Sequence, residues 1–444
     1  MSRILLAALL LGAGITPVLA QTAPPAAATD CTTRAQSILR SLKAGDYDKA
    51  GAHFDERMRQ AVPSDKLEQL WATVLPAQAG QLEHAENPQS RDIGNGTTVV
   101  TVPLKFSKAW IDLQVACSAD NQVSGLFFRP GSAPESADPS AGLSDNEHPL
   151  AVKTPLGPLP GILVLPRSGK PPFPAVVLLA GSGSLDKDET IGPNKPLRDI
   201  AQGLAKHGIA SLRYDKRTHA YGEKMAGKNI SVDDEVTTDA VTAAHMLSVQ
   251  RGIDPQRVFV LGHSLGALMA PRVGQRDPQL AGLILLAAPT RLDLDLVLRQ
   301  TRYLLNLQNA DQAKRDQALK PLIEARDTLA HADPDHPPSG QFFHAPASYW
   351  LGLMHYDAVD VAGKLKMPML ILQGKSDYQV TMQDDFGKWK KAFAGNPRVT
   401  VRSFSGLSHL FMPAGDPPSP ADYAKAGHVD QAVIDQISQW IKAH

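Results

Sequence analysis

The sequence predicts an α/β protein: a mostly parallel sheet covered by helices on both faces, preceded by a small α+β domain. Apolar segments of strand length alternate with helical segments in the second part of the chain. They lie near residues 175–180, 209–214, 257–262, 282–288, 369–374 and 398–404. One of these segments runs into a Gly-x-Ser-x-Gly motif at residues 262–266. The first part has helical segments followed by strand-like ones, the order typical of α+β domains.

Residues 1–20 have the pattern of a signal peptide. A short basic start at Ser2-Arg3 precedes an apolar stretch over residues 4–15, and small or modest residues occupy positions 17–20. We expect cleavage after Ala20 and a periplasmic or secreted protein. The apolar stretch is too short for a membrane span, and no other run of the sequence is long and apolar enough.

The composition argues against nucleic acid and anionic membranes as partners, and it leaves open whether the two cysteines form a disulfide. The 45 basic and 45 acidic residues balance, so no field favours nucleic acid or anionic membranes. The two cysteines, Cys31 and Cys117, form a candidate disulfide in an oxidising compartment, with two buried free thiols as the alternative. No Cys/His cluster suggests a metal site, and we expect neither metal nor cofactor.

The first domain is expected over residues 30–129. Its predicted helices lie at about 31–43, 47–61 and 65–76, and its strands at 98–104, 110–115 and 122–127. Their alternation and short turns favour an antiparallel meander packed on the helices. This domain contains no catalytic set of residues. A linker is predicted over residues 130–148, which are rich in Pro, Ser, Ala, Gly and acidic residues.

The second domain, residues 149–444, begins with a predicted hairpin between residues 150–154 and 161–165. The strand at 175–180 then leads into Gly181-Ser182-Gly183-Ser184. A glycine-rich turn there can aim backbone amides at a developing negative charge. We assign the oxyanion donors to the amide of Leu265 and to that of Ser182 or Gly183, between which the sequence does not choose. A plain glycine turn is the alternative.

The stretch from Val258 to Leu268 predicts a buried strand, a sharp turn and a helix, with Ser264 at the apex. A serine so placed is a candidate nucleophile, and the flanking glycines allow strand and helix to approach closely. An ordinary helix N-cap is the alternative interpretation of Ser264.

An acid and a base follow two later strands. Asp377 comes just after the strand 369–374, and His409 comes after the strand 399–404. Catalytic groups of open parallel sheets lie beyond the carboxyl ends of strands, so both are candidates for a triad with Ser264. The rivals are Asp384 and Asp385, in a predicted helix, together with His428 and His355. We expect His263 to pack beside the serine turn.

Between about residues 290 and 356 the alternation of strands and helices stops. Residues 293–332 are helical and amphipathic, and a proline-rich bend at 334–338 and several aromatics follow. An insert at this position would sit over the carboxyl ends of the strands. We therefore predict a lid that lines the substrate pocket, with a surface helical pair as the alternative.

The segment from Ala180 to Glu189 resembles the G-S-G-P-x-D-R-D-E segment of bacterial α/β-hydrolase serine esterases, which are related to the dienelactone-hydrolase and serine-aminopeptidase-like branches. The match continues at residues 194–196 and 213–217 and covers about residues 148–444. It implies the α/β-hydrolase fold, in which the chain order is serine, acid, histidine. Ser184 stands where the family usually has proline, and residues 218–222 replace a glycine-rich turn.

Two further expectations accompany this resemblance. The first domain, through residues 44–48 and Trp71, resembles a nuclear-transport-factor-like domain of unknown function. The charged residues around the glycine turn are expected to form an ion-pair network that supports it: Asp186, Asp188, Glu189, Lys195, Arg213, Asp215 and Arg217.

The sequence thus predicts a serine hydrolase that uses Ser264, Asp377 and His409, most simply a carboxylesterase acting on small to medium acyl esters through an acyl-enzyme. An aminopeptidase-like or acylpeptide hydrolase, or a thioesterase, is the alternative enzyme. A binding module without activity is the alternative from another class. The expected partner is a small acyl ester rather than nucleic acid, and a homo-oligomer stays open.

Overall fold

The computed structural model of the protein describes residues 26–92, 96–131, 143–225, 228–342 and 345–444. The chain divides by its internal contacts into two units, Met1–Ala137 and Asp138–His444. The predicted signal peptide and residues 132–142 of the predicted linker lie outside the described residues. No helix in the described ranges has the length and apolar character needed to span a membrane.

The N-terminal unit has five α-helices among its described residues, followed by an antiparallel sheet. The helices are α1 Ala26–Ala44, α2 Tyr47–Gly51, α3 Glu56–Ala61, α4 Ser64–Glu68 and α5 Leu75–Ala79, with a π-helical segment Gln69–Val74 before α5. The strands are β1 Leu82–Ala85, β2 Gln89–Asp92, β3 Thr98–Phe106, β4 Trp110–Cys117 and β5 Val123–Gly131. The sheet order is β1-β3-β4-β5, and β2 pairs with β3.

Helices and sheet of this unit share one apolar core. Val100, Val102 and Leu104 alternate along β3 and are buried, as expected for a strand with one face against helices. Cys31 on α1 and Cys117 on β4 are joined by a disulfide that spans 86 residues of sequence. The bond therefore links the first helix directly to the sheet.

The C-terminal unit is built on a sheet of eight described strands in the order β17-β16-β13-β12-β10-β11-β9-β6. The strands of this sheet are β6 Glu147–Pro149, β9 Gly161–Val164, β10 Phe173–Leu179, β11 Ala210–Tyr214, β12 Ile253–His263, β13 Gly282–Leu286, β16 Met369–Gly374 and β17 Val399–Phe404. Two short antiparallel pairs lie outside it: β7 Val152–Thr154 with β8 Gly157–Leu159, and β14 Gln341–Phe342 with β15 Ala345–Pro346. The six strands from β17 to β11 in this order are parallel, whereas β9 is antiparallel to β11 and to β6.

Helices cover both faces of this sheet. They are α6 Pro196–Lys206, α7 Arg217–Ala220, α8 Gly222–Met225, α9 Thr238–Ser248, α10 Leu265–Arg276, α11 Leu294–Leu307, α12 Gln312–Ala330, α13 Ala347–Met354, α14 Ala358–Lys364, α15 Gly387–Ala392 and α16 Gln431–Ala443, with π-helical segments Asp233–Thr237 and Met382–Phe386 and a 3₁₀ segment Pro420–Ala424. On β10, Val176 and Leu178 pack on the side of α6 and α16, and Val177 packs on the side of α9 and α10. Burial on both faces explains why these strands are continuously apolar.

The strand order places the two glycine-containing turns side by side. The chain runs from β10 to β11 on one side, then returns across β10 to β12 and continues to β13 in the opposite direction. Beyond the carboxyl ends of strands at such a reversal, an open parallel sheet forms a crevice. The turns that follow β10 and β12 therefore meet at its opening.

The first strands of this unit do not form the predicted hairpin between residues 150–154 and 161–165. Residues 152–154 pair with 157–159, and residues 161–164 pair with 147–149. The short hairpin closes because the Thr154 hydroxyl donates to the Gly157 carbonyl (2.7 Å) and Gly157 adopts φ +135°. The predicted linker is also too long, because Glu147 lies buried in β6, where Arg213 binds its carboxylate. An acidic residue paired in this way fits a buried strand despite the polar composition around it.

The predicted insert falls between β13 and β16. It contributes α11, α12, the β14-β15 pair and α13. Asp293 caps α11 by accepting a hydrogen bond from the Leu296 amide (3.0 Å). The hydroxyl of Tyr349 on α13 donates to Glu235 Oε2 (2.6 Å), which ties the insert to the segment before α9.

Candidate active site

Ser264 occupies the sharp turn between β12 and α10. Its backbone has φ +52° and ψ −114°, a conformation that non-glycine residues rarely adopt and that is held only when the surroundings enforce it. The Ser264 amide donates to the Leu286 carbonyl (2.9 Å), and its own carbonyl accepts from the Leu268 amide (2.9 Å). Its side chain makes no capping hydrogen bond to α10.

The two glycines of the motif are required by close backbone approach. A Cβ on Gly262 would lie 2.2 Å from the carbonyl carbon and oxygen of Gly266. A Cβ on Gly266 would lie 2.5 Å from the carbonyl oxygen of Leu179 on β10. Both distances are far below van der Waals contact, so the motif fixes the packing of α10 against the sheet.

Asp377 and His409 are hydrogen-bonded to each other. Asp377 lies beyond the end of β16, and its Oδ2 is 2.7 Å from His409 Nδ1, in the loop after β17. Both residues are 5% exposed. The carboxylate also accepts hydrogen bonds from the amides of Gln379 (2.8 Å) and Val380 (3.0 Å) and from the side chain of Gln373 (2.9 Å). With the carboxylate so fixed, Nδ1 of His409 is the donor, and its Nε2 is left as the basic nitrogen.

Ser264 and His409 line the same cavity. In the described part of the chain, the Ser264 hydroxyl does not hydrogen-bond to His409, whose Nδ1 side is held by Asp377. Contacts between a nucleophile and its base are often long in the resting site and tighten when substrate binds. The structure thus joins Asp377 to His409 and places Ser264 and His409 on one cavity, each residue at or beyond the end of a different strand.

The rival acids and histidines lie elsewhere. Asp385 accepts hydrogen bonds from the Thr290 amide (3.0 Å) and from Arg299 (2.9 Å), and burial raises its pKa. Asp384 binds the Thr381 hydroxyl (2.9 Å). His428 is paired with Asp199, and His355 binds the carbonyl of its own helix at Leu351.

The turn after β10 presents its amides beside Ser264. The Gly181 amide already donates to Glu189 Oε1 (2.7 Å), so the turn offers the amides of Ser182 and Gly183, the second with φ +102°. The amide of Leu265, at the first position of α10, has no acceptor within its own helix. Ser184 compensates for the missing proline, because its hydroxyl donates to the Thr218 carbonyl (2.9 Å).

Ion pairs hold the segment behind this turn, as its charged residues suggest. Asp188 binds Arg213 (2.8 Å) and Lys195 (2.9 Å), and Asp215 binds the Lys187 amide (2.7 Å). Burial opposes ionisation of Asp188, but the two cations outweigh burial and lower its pKa. Asp186 instead binds Thr190, and Arg217 pairs with Asp239.

The contacts of three residues of the site, Glu189, His263 and Lys216, do not follow from the sequence. Glu189 is absent from the ion-pair network and binds His263 Nδ1 (2.8 Å). His263 does more than pack, because its Nε2 is 2.9 Å from the His409 carbonyl oxygen. Lys216 donates to the Gly181 carbonyl (2.9 Å) and pairs with Glu235 (2.9 Å). The only sequence signal for these residues is their position beside the glycine turn, the serine motif and a strand end.

The cavity above Ser264 has a volume of about 720 Å³. Its described walls are mostly apolar. Leu185 and Ile191 come from the segment after β10, and the insert supplies one side with Leu292, Leu296, Val297 and Trp350. The amide-bearing turn, Ser264 and His409 lie along its polar side. Within the described residues, no group of three or more potential ligands is arranged to hold a metal ion.

Comparison with protein families gives two matches. Residues 195–414, which include Ser264, Asp377 and His409, match the family of serine aminopeptidases, S33. Residues 35–126 match a family described only as a protein of unknown function, DUF3887. The two matches fall in the two units of the chain.

Two of the proteins with similar sequences are named as esterases. Esterase EstD from Thermotoga maritima is 36% identical over 409 residues, which cover 91% of this chain and 93% of EstD. Esterase FrsA from Serratia proteamaculans is 34% identical over 121 residues, or 27% of this chain and 26% of that protein. Among solved structures, the esterase domain of a Rhodothermus marinus protein matches with a TM-score of 0.40 and 16% identity, covering 67% of this chain and 98% of that domain.

Proposed function

Since the chain belongs to the α/β-hydrolase family of esterase EstD, we propose that it is a carboxylesterase that cleaves acyl esters through an acyl-enzyme on Ser264. One observation carries the proposal. A strained serine and a histidine held by a carboxylate line a single cavity beside a turn whose amides lie free for an oxyanion.

Acylation begins with attack of Ser264 Oγ on the ester carbonyl carbon. His409 Nε2 takes the hydroxyl proton as the new C–O bond forms, and the carbonyl π electrons move to its oxygen. The amides of Leu265 and of Ser182 or Gly183 bind that oxyanion, each donor contributing on the order of 10²–10³ in rate. Asp377 stabilises the imidazolium of His409. The oxyanion then collapses, and the alcohol leaves with the proton from His409.

Deacylation repeats these steps with water as the nucleophile. His409 removes a proton from the water as its oxygen attacks the acyl carbon, and the same amides bind the second oxyanion. Collapse releases the carboxylic acid and returns the proton to Ser264 Oγ. Nε2 of His409 must therefore be unprotonated at the start of each half of the cycle.

The walls of the cavity favour an apolar acyl or alcohol group. About 720 Å³ lies within the range of pockets that hold small to medium organic ligands. The two carboxylates that line the cavity among the described residues, Glu189 and Glu235, are already bound to His263 and Lys216. Glu235 is therefore not free to bind the amino group of a substrate, and Glu189 is buried (1% exposed) beside His263, which favours neutral esters.

The test is hydrolysis of p-nitrophenyl esters of increasing acyl length by the wild-type protein and by Ser264→Ala. We expect the variant to fold normally and to lose all turnover above background. Full activity in folded Ser264→Ala would contradict the proposal. Ser376→Ala, beside Asp377 but outside the cavity lining, is the matched control.

Amide cleavage is the second candidate, favoured by the match to serine aminopeptidases. Aminoacyl p-nitroanilides tested alongside the esters separate the two. We expect a higher kcat/KM for the esters, because the cavity presents no unpaired carboxylate among its described residues. A higher kcat/KM for anilides with a free amino group would favour the peptidase.

We also propose that the protein is exported and cleaved after Ala20. The basic and apolar segments before Ala20 support this, and so does the disulfide between Cys31 and Cys117, a bond typical of oxidising compartments. The mass of the protein from a periplasmic fraction tests it. A mature chain that begins at Gln21 is expected, and a cytoplasmic chain that retains Met1 would contradict it.

A further inference from the structure

The ring of His263 lies between two oxygen atoms. Nδ1 is 2.8 Å from Glu189 Oε1, and Nε2 is 2.9 Å from the carbonyl oxygen of His409. His263 is 4% exposed and Glu189 is 1% exposed. Neither residue belongs to the serine, histidine and acid described above, yet both are fully enclosed beside them.

These partners determine where protons reside. A carbonyl oxygen only accepts, so Nε2 of His263 carries a hydrogen. A second proton lies between Nδ1 and Glu189 Oε1, since two bare acceptors would repel at 2.8 Å. Oε2 of Glu189 has no hydrogen-bond partner among the described residues, so a proton placed there would lack an acceptor. The pair is therefore an imidazolium whose Nδ1 donates to the Glu189 carboxylate.

The pair touches all three parts of the proposed machinery. Glu189 Oε1 also accepts from the Gly181 amide (2.7 Å), at the start of the turn that offers the oxyanion donors. His263 is the residue immediately before Ser264. Its Nε2 holds the backbone of His409, whose ring lies 4.7 Å away between centroids.

We propose that Glu189 and His263 form a positioning pair that fixes the oxyanion turn and the His409 loop relative to Ser264, and that it does so only while it holds both protons. The kinetic consequences of this inference rest on the proposed function. The number of protons that the pair holds follows from the geometry alone. Neither residue touches the substrate carbon or takes its proton, so the pair acts through the groups it holds.

The pair gives the site a dependence on alkaline pH. Burial lowers the pKa of His263, but the facing Glu189 carboxylate, the His409 carbonyl and the more distant Asp377 outweigh burial and raise it. A raised pKa keeps the proton through neutral pH, and the contribution is lost as the pH rises through that pKa. Above it, Nδ1 and Oε1 are bare acceptors that repel each other, the oxyanion turn held through Glu189 loosens, and kcat falls while KM changes little.

The principal test is Glu189→Gln, which keeps the size of the side chain and removes its charge. We expect kcat for p-nitrophenyl esters to fall by on the order of 10²-fold, the cost typical of displacing catalytic groups by about 1 Å. KM should change little, and the alkaline limb should move to lower pH because His263 loses its carboxylate. His263→Gln should lower kcat similarly and remove that limb.

The chain contains a matched control. Asp199 accepts from His428 Nδ1 (3.0 Å) and from the Val429 amide (3.1 Å), as Glu189 does from His263 and Gly181, but neither Asp199 nor His428 lines the cavity. Asp199→Asn should leave kcat and the pH profile unchanged. A folded Glu189→Gln protein with wild-type kcat and an unmoved alkaline limb would overturn the proposal.

A second measurement does not depend on activity or on a variant's stability. Nitrogen-15 NMR of the wild-type histidine rings, with the His263 signals assigned by their loss in His263→Gln or by their coupling to Ser264, reports both ring nitrogens. Two protonated nitrogens at pH 7 are expected, and a single protonated nitrogen would overturn the proposal. A protein that hydrolyses no ester, with both nitrogens protonated, would refute the proposed function and leave the pair standing.

Discussion

At Asp377 the two carboxylate oxygens have different partners, and this asymmetry determines the proton position on His409. Oδ1 accepts from the backbone amides of Gln379 and Val380, and Oδ2 accepts from Gln373 and from His409 Nδ1. An oxygen is needed on both sides, so an amide cannot replace the carboxylate without turning an NH₂ toward a donor.

Asp377→Asn should therefore lower kcat by about 10³–10⁴-fold. The asparagine oxygen is expected to face the two backbone amides, which leaves its NH₂ facing Nδ1 and forces the His409 proton onto Nε2, the wrong nitrogen for a base. Steady-state kinetics with p-nitrophenyl esters measure the effect. Asp384→Asn is the control, since Asp384 binds Thr381 instead. Loss of activity in the control but not in Asp377→Asn would contradict the assignment of the acid.

Ser264, Asp377 and His409 were predicted to lie together because each follows a recognisable strand, and parallel strands end at one edge of a sheet. The structure joins Asp377 to His409 and places Ser264 on the same cavity as His409, whereas their catalytic roles stay a prediction. The contact between Glu189 and His263 could not be predicted, because it joins a loop residue to the last residue of β12, 74 residues later. Only the adjacency of β10 and β12 brings them together. The contact of Lys216 could not be predicted for the same reason, because its amine donates to the carbonyl of Gly181, which lies 35 residues earlier in the sequence.

At the scale of elements, the insert between β13 and β16 supplies one apolar side of the cavity. Leu296 and Val297 on α11 and Trp350 on α13 line it. The hydroxyl of Tyr349 anchors α13 to Glu235, which Lys216 and Thr218 also bind. Burial opposes ionisation of Glu235, but Lys216 and these hydrogen bonds outweigh burial and lower its pKa, so Tyr349 donates to a carboxylate.

Tyr349→Phe removes that anchor without changing the ring. A hydrogen bond to a buried charged group contributes about 1.5–3 kcal/mol, so the free energy of unfolding should fall by that order. We expect KM for longer acyl esters to rise several-fold while kcat for p-nitrophenyl acetate is nearly unchanged, since Ser264, Asp377 and His409 are not altered.

The control for Tyr349→Phe is Tyr303→Phe on α11. That hydroxyl donates to the neutral carbonyl of Pro418 (2.8 Å), and Tyr303 is not among the cavity residues. Its loss should lower stability by less and leave KM unchanged. Denaturant unfolding and kinetics on both variants measure this, and equal KM changes in the two would contradict a specific role for Tyr349.

Element boundaries show what sequence patterns leave out. The strands of the large sheet were predictable from their apolar runs because both faces are buried. β6 was not predictable, because Glu147 lies in a polar segment that has the composition of a linker. Its burial depends on pairing with Arg213, 66 residues later in the sequence. The pairing of β7 with β8 depends on a side-chain hydrogen bond at Thr154, which hydrophobic periodicity does not reveal.

Over the full chain, the two units have separate apolar cores, and the disulfide lies wholly within the first. A cross-link that closes a loop of 86 residues stabilises a small domain mainly by restricting its unfolded state. The hydrolase unit contains every residue of the proposed machinery. Its chemistry should therefore be independent of the bond.

Replacing Cys31 and Cys117 together by alanine should lower the free energy of unfolding of the N-terminal unit by up to about 4–5 kcal/mol. Calorimetry is expected to show its transition move to lower temperature, while the transition of the hydrolase unit stays in place. Hydrolysis of p-nitrophenyl acetate below both transitions should be unchanged. A shift of both transitions together, with loss of activity, would contradict this independence.

The most direct test of the account is to identify the residue that a fluorophosphonate modifies. The reagent should react with the wild-type protein at one site, block ester hydrolysis in proportion, and place its phosphonyl group on the peptide that contains Ser264. Protein with His409→Ala should react far more slowly. Modification of a different residue, or continued hydrolysis by fully labelled protein, would contradict the central role of Ser264.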